Sequence, residues 1–318
     1  MDKNIYTPEG FLDEEVRCGW RVTTKMKKVW AIEIAMLEEV RKICERHGLT
    51  YYAIAGTAIG AVRHKGFIPW DDDLDIAMKR DEYDRFITYA EKELEFPFFL
   101  QTPTNDKPFY HKNFVKIRHS LSTMTSLNDG CFPYNNGVFI DVFPLDCYDD
   151  IPSINAFCRL EKIRTVVAWN RIHCKYIKGF SGANVLRKIA WVLSPLILCG
   201  SVESYYIKHE EKCRKLSNPD MPKLGVVYGW MKPGVDHKRR AHDKDVFDGV
   251  IYEDFEYIKI PLPVGYDRML RQEYGDYMEF PPVEERGKHH GFELDPDIPY
   301  KEYCSEHYGV VYDNKPGE

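Results

Sequence analysis

The chain has 318 residues, 44% hydrophobic and 30% charged, which excludes a disordered or fibrous protein and leaves a globular one. The length allows one large domain or two modest ones, and a chain of this size can bury roughly 75% of its unfolded surface. Against 50 Asp and Glu stand 44 Lys and Arg, a net charge of −6 that argues against a nucleic-acid partner while leaving room for a local basic pocket.

In chain order, Thr23–Arg46 has the pattern of a long amphipathic helix. Met26, Val29, Trp30, Leu37, Val40 and Cys44 fall near one face, and Gly48 supplies a stop. Tyr51–Ala55 is a short strand that Gly56-Thr57 breaks, and one or two helical turns follow over Ala58–Arg63. A second strand is expected at Leu74–Met78, then a charged helix from Asp81 to Glu95, and further strands at Asn113–Arg118 and Val138–Phe143. From Ile151 to Leu216 the pattern is helical. A loop-rich stretch with Pro219, Pro222, Pro233 and Gly234 leads to a strand at Glu256–Ile260, a helix over Pro263–Tyr274 and the segment Phe280-Pro281-Pro282. The fold class is α+β, in one domain spanning residues 1–318. A mixed-sheet core covers 20–150, a helical region 151–222, and a C-terminal α/β return with substrate-binding character 223–318.

Nine scattered cysteines, with no C-x-x-C pair, suggest neither a disulfide framework nor a zinc site; reduced, mostly buried thiols are expected. Met1–Arg17 is acidic and lacks an apolar stretch, so no signal peptide and a cytoplasmic location are expected. The apolar run Ile189–Cys199, broken by Ser194-Pro195, is shorter than the about 20 residues of a spanning helix. It is expected to be a buried, kinked helix; the alternative, with Arg187 and Lys188 beside it, is a peripheral contact with the inner face of a membrane.

The chemistry concentrates in Trp70-Asp71-Asp72-Asp73-Leu74-Asp75-Ile76. Four carboxylates in five residues repel one another unless solvated or sharing cations. On a strand, Asp73 and Asp75 would share one face about 6.6 Å apart, an arrangement suited to hard divalent cations. Gly56-Thr57, 17 residues before Asp73, sits at a strand-to-helix turn where backbone N–H groups can approach a phosphate, and Arg63, His64 and Lys65 offer positive charge to the same anion. Asp141, inside the apolar strand Gly137–Pro144, is either a third metal-site carboxylate or a structural residue with its own hydrogen-bond network.

The block Ala55-Gly-Thr-Ala-Ile-Gly-Ala-Val-Arg63-His-Lys-Gly-Phe-Ile-Pro-Trp70-Asp-Asp-Asp-Leu-Asp75-Ile closely resembles the signature of the LicD family, of the nucleotidyltransferase-fold superfamily. Phe139-Ile-Asp-Val-Phe-Pro-Leu-Asp146, Tyr274-Gly-Asp-Tyr-Met278 and Pro281-Pro-Val-Glu-Glu-Arg286, leading to His289-His290, are similar to further blocks of that family. The resemblance spans Thr23–His290, although the helical stretch from Ile151 to Asp220 carries no matching motif. It implies a nucleotidyltransferase-like core and Mg²⁺-dependent transfer (Mn²⁺ being admissible) of a phospho-alcohol, phosphocholine foremost, from a CDP-linked donor. The acceptor would be a hydroxyl of a cell-surface glycan or lipid-linked oligosaccharide, such as a teichoic acid, lipopolysaccharide or capsule precursor, and CMP would be released. The eukaryotic fukutin-related ribitol-phosphate transferases share this catalytic core. By the same resemblance, Gly56-Thr57 take the superfamily's Gly-Ser position, Asp73 and Asp75 the metal-binding pair, and Asp141 the third carboxylate; Asp71 extends the acidic run.

Secondary expectations attach to other residues. Lys116 and Arg118 would pair with the pyrophosphate or form a solvated strand face. Trp70 would stack on the cytosine or head group, or pack in the core. Arg286, His289 and His290 would bind donor or acceptor, or lie on the surface. Tyr274 and Tyr277 would pack the C-terminal helix, and Asp236–Arg240 would be a solvated loop or a contact for an anionic polymer. Alternative activities are a nucleotidyltransferase moving NMP from an NTP to a small molecule, a D-x-D glycosyltransferase, and a non-catalytic glycan-binding member of the fold.

Overall fold

The computed structural model describes residues 5–106, 114–126, 129–148, 161, 163–164, 166–168, 171, 185–226, 237–287 and 291–312. A short hairpin, β1 (Glu15–Arg17) and β2 (Trp20–Val22), leads into helix α1 (Thr24–His47). Thr23 caps α1 by accepting the Met26 N–H at 3.2 Å, and Gly48 ends it at φ +59°, its N–H closing on Cys44 O. A helix stop in the left-handed region is the setting that favours glycine.

The central sheet is mixed. β3 (Tyr52–Ala53) pairs antiparallel with β4 (Asp75–Lys79), which runs parallel to the long strand β8 (Val138–Tyr148). The first half of β8 pairs antiparallel with β6 (Val115–His119), and β6 with β5 (Phe98–Gln101). The last residues of β8 pair with β9 (Lys223–Gly225), which in turn pairs with β10 (His242–Asp243). Between β3 and β4 the chain forms helix α2 (Ala55–Ile59) and a π-helical turn, Gly60–His64; after β4 comes α3 (Arg80–Glu93). α1 packs on β6 and β8 and against α3. Arg80 ties α3 to β8 by a two-pronged pair with Asp146, at 2.7 and 2.8 Å.

Two further antiparallel pairs complete the described fold. β7 (Thr123–Thr125) pairs with β13 (Glu293–Asp295), and β11 (Val250–Phe255) with β12 (Ile258–Pro263). Helices α4 (Val185–Leu198), α5 (Val202–Leu216), α6 (Tyr266–Tyr274) and α7 (Tyr300–Tyr308) make up the rest. One hydrophobic core runs from Ile5 through the sheet to Tyr277.

Several expectations need correction. β4 begins at Asp75, so Asp73 precedes the strand rather than sharing its face. The strand expected at Glu256–Ile260 is the second arm of a hairpin whose turn falls at Glu256 (φ +52°) and Tyr257. The apolar run in α4 is not buried throughout. Ser194 and Leu198 are buried, with Leu198 packed on Ala168, Tyr205 and Tyr206, while Val192, Leu193 and Leu196 are exposed, Leu196 at 77%. Cys44, Cys213 and Cys304 are buried, but Cys18 and Cys199 are exposed. Among the described residues no helix is long and apolar enough to cross a membrane.

Candidate active site

Register builds the site. In the parallel pairing of β4 with β8, Asp75 lies beside Asp141; in the antiparallel pairing of β6 with β8, Lys116 lies on the other side of Asp141. Directly paired residues project to the same face, so Asp75, Asp141 and Lys116 form a row across three strands. Asp71 and Asp73 reach the same place from the loop before β4. The four carboxylates, with Lys116, Arg118 and Arg240, line a cavity of about 590 Å³ whose wall also includes Ile54, Ala55 and Gly56.

Backbone and side-chain hydrogen bonds hold the acidic loop. Trp30 Nε1 donates to Asp71 O at 3.1 Å, and the Asp141 N–H donates to Leu74 O at 2.9 Å. The Asp75 N–H donates to Thr57 Oγ1 at 2.8 Å, so that hydroxyl positions the start of β4, and Thr57 is not among the residues that line the cavity. Ala55, at φ +50°, turns the chain out of β3 into α2. A Cβ on Gly56 would stand 2.6 Å from Asp71 Oδ2, so glycine leaves the room that this carboxylate occupies.

Lys116 is buried, ion-paired to Asp141, and its Nζ sits 3.3 Å from the centre of the Phe139 ring. Arg118, also buried, donates to Gln101 Oε1 at 2.8 Å and Gly137 O at 2.7 Å. Neither belongs to a solvated strand face: all of β6 is buried.

The carboxylates disturb one another. Burial, then Asp141 and Asp71, push the Asp75 carboxyl up to about 8, against the pull of Lys116 and Arg240. Asp73 is raised by burial and then by Asp75, Asp71, Asp72 and Asp141. Crowded oxygen donors that resist ionising together fit a hard divalent cation. Carboxylate oxygens of Asp71, Asp72 and Asp73 in addition lie within 4.8 Å of one another. A carboxyl raised on folding stabilises the fold below its unfolded value near 4, and that contribution is lost as pH rises toward the folded value. The metal-free Tm is therefore expected to fall by at least about 5 °C between about pH 5 and pH 8. Millimolar Mg²⁺ should reverse the fall at the upper pH and change little at the lower; melting curves at both pH values check this.

The structure brings Asp73, Asp75, Asp141, Gly56 and Lys116 together, and leaves Arg63, Lys65, Trp70 and Arg286 away from the cavity. Arg63 donates to Tyr277 O and Glu279 O at 2.6 and 2.9 Å. Lys65 pairs with Glu253 at 2.8 Å. Trp70 belongs to a ring cluster with Trp20, His64 and Phe280, and the Arg286 guanidinium lies 4.6 Å from its ring centre. The π-helical turn carries this basic segment toward the C-terminal return, where its side chains join the two parts of the chain. His289 and His290 lie outside the described residues.

Arg240, at the end of the basic run expected to be a solvated loop or a contact for an anionic polymer, lines the cavity, and so does Tyr274, expected to pack the C-terminal helix. Tyr277 does pack, buried, donating to Asp267 Oδ1 at 2.8 Å. Asp129 and Asn136 also line the cavity, and no motif marked them.

Residues 48–151, which contain Gly56, Asp71–Asp75, Lys116 and Asp141, match the family model described as the LicD/FKTN/FKRP nucleotidyltransferase domain. Over 262 residues the chain is 29% identical to the lipopolysaccharide cholinephosphotransferase LicD of Haemophilus influenzae, covering 80% of this chain and 92% of that protein. Over 184 residues it is 24% identical to an uncharacterised protein of Rickettsia typhi, covering 51% of this chain and 56% of that one.

Proposed function

We propose, from the match of residues 48–151 to the LicD/FKTN/FKRP nucleotidyltransferase domain and the likeness to the Haemophilus influenzae cholinephosphotransferase, that this chain is a LicD-family enzyme that transfers phosphocholine from CDP-choline to a hydroxyl of a cell-surface glycan, releasing CMP. The observation that carries the reading is the convergence of Asp71, Asp73, Asp75 and Asp141 with Lys116, Arg118 and Arg240 in one cavity. Carboxylates suit a cation and the basic groups suit phosphates, and a pyrophosphate donor needs both. The relative's action on lipopolysaccharide supports the glycan acceptor. Phe114, Phe139, Phe143, Tyr274 and Phe292 line the same cavity, and ring faces attract a quaternary ammonium group, which favours choline over ribitol or glycerol.

In this reading the acceptor oxygen bonds to the choline-bearing phosphorus, the bond from that phosphorus to CMP breaks, and CMP leaves. Asp73, Asp75 and Asp141 would hold Mg²⁺ or Mn²⁺, which when bound supplies charge stabilisation for phosphoryl oxygens. Asp141, fixed by Lys116, takes the acceptor proton. Arg240 and Arg118 offset donor charge. The exposed Val192, Leu193 and Leu196 suit a lipid surface and would hold the protein near a lipid-linked acceptor on the cytoplasmic face of a membrane.

The test is CMP release with Mg²⁺ from CDP-choline, CDP-ribitol and CDP-glycerol, with an EDTA control. Metal-dependent release, fastest from CDP-choline, is expected. Absence of binding to any cytidine nucleotide, or pyrophosphate release from an NTP, overturns the reading. In the same assay Gly56→Ala is expected to lower turnover by up to about 100-fold, because the new methyl displaces Asp71. Its Tm should be unchanged or slightly raised, since alanine is the better helix former.

A further inference from the structure

A second cavity, of about 280 Å³, lies between α3 and α5, and Phe114 lines both it and the active-site cavity. The Phe114 ring stands 4.2 Å from that of Phe143 in the active-site wall and 5.5 Å from Lys116 Nζ, which pairs with Asp141. Val115 lines the second cavity and Lys116 the first, in keeping with the alternation of a strand. Ion pairs fix the width of the cleft. Arg80 of α3 joins Asp146 of β8 to Glu210 of α5, and Arg214 of α5 pairs with Asp84 of α3 at 2.9 Å.

The lining mixes rings with hydrogen-bonding groups. Tyr83 is 2% exposed; its hydroxyl accepts the Val115 N–H at 3.0 Å, and among the described residues its own proton has no acceptor. Glu91, Glu210 and Glu211 stand against one cation, Arg214, so the lining is net negative and repels phosphates and carboxylates. A lipid chain would strip water from those carboxylates without replacing it. A sugar ring meets both halves of the lining. Its C–H face packs on aromatic rings, and its hydroxyls donate to carboxylates in charge-assisted hydrogen bonds.

We propose that the cavity between α3 and α5 holds a sugar unit of the acceptor, neutral or carrying an amino group, beside the Phe114 wall that separates it from Lys116 and Asp141. The volume, near the lower end of the roughly 300–1,000 Å³ of small-molecule sites, suits a single sugar unit and not a whole oligosaccharide. The inference rests on the reading of the chain as a transferase to a glycan. It adds where the glycan sits and which sugars are refused: uronic acids and sugar phosphates.

The experiment titrates the full chain, isotope-labelled at isoleucine methyl groups, with the methyl glycosides of glucose, galactose, glucosamine and glucuronic acid, followed by NMR without nucleotide. Ile87 and Ile207 line the cavity and report on it. Saturable shifts of both are expected with the neutral and amino glycosides, glucosamine binding tightest and the glucuronide at least about tenfold more weakly than glucose. Ile207→Trp, which fills the cleft, should abolish the shift at Ile87. Glu211→Lys, an exposed charge reversal, should weaken glucosamine binding by about tenfold and glucose binding less. Absence of shifts at Ile87 and Ile207 with the neutral and amino glycosides overturns the proposal. So does glucuronide binding as tight as that of glucose, or an Ile87 shift that survives in folded Ile207→Trp. If Ile207→Trp does not fold, an unchanged glucosamine affinity in Glu211→Lys overturns it instead. Because no nucleotide is present, sugar binding without CMP release marks failure of the transferase reading, and CMP release without sugar binding marks failure of this one.

Discussion

Asp75→Asn is expected to cut CMP release from CDP-choline by at least about 1,000-fold while leaving the metal-free protein as stable as before, or more so. The two effects have one cause. Asp75 stands beside Asp141 in register and shares the cavity with Asp71 and Asp73, so its charge is costly without a cation and needed with one. Asparagine keeps the shape and removes the charge. A loss of about 4 kcal/mol of transition-state stabilisation corresponds to a thousandfold in rate, within the several kcal/mol that metal-assisted charge stabilisation supplies. In the metal-free protein the same substitution relieves repulsion, so Tm should hold or rise, most clearly near pH 8. Turnover within tenfold of the unaltered protein would remove Asp75 from the site. A fall in both Tm and turnover would mean that Asp75 holds the strand together rather than serving the chemistry.

Much of this site was legible because its carboxylates are contiguous. Asp71 to Asp75 stand out as candidate cation ligands without knowledge of the fold, and Asp141 as an acid inside an apolar strand. Long-range pairing was not legible: that Lys116 falls opposite Asp141 depends on the register of β6 against β8. Nearness in sequence misled at Arg63 and Lys65, which the π-helical turn carries to carbonyls and a carboxylate of the C-terminal return. Helical periodicity gave no sign that Glu33 is buried. The pattern of α1 reads as one apolar face, yet residues from several sides of the helix, Ile32, Glu33, Ile34 and Met36 among them, are buried. A helix covered that widely can hide an acid at a position that looks solvated. The hairpin β11–β12 was half seen because its first strand carries two adjacent acids, Glu253 and Asp254, and lies partly exposed.

Lys116→Met should destabilise the metal-free protein by about 3–5 kcal/mol, the range for breaking a buried ion pair by removing one partner. That predicts a fall in Tm of about 10 °C. The Lys116 ammonium is nearly inaccessible, paired with Asp141 and set against the Phe139 ring. Its removal leaves Asp141 in the interior beside Asp75 without its ion-pair partner. The double variant Lys116→Met/Asp141→Asn should recover most of the lost stability, since the orphaned charge goes with its partner, but none of the turnover. Melting curves and CMP release for the two single variants and the double variant, each with and without Mg²⁺, complete the cycle. If Lys116→Met costs stability only without Mg²⁺, a bound cation substitutes for the ammonium beside Asp141, which makes Asp141 a ligand. If the cost is the same with Mg²⁺ present, Asp141 is reserved for Lys116, and the cation must be held by the aspartates of the loop and β4 alone.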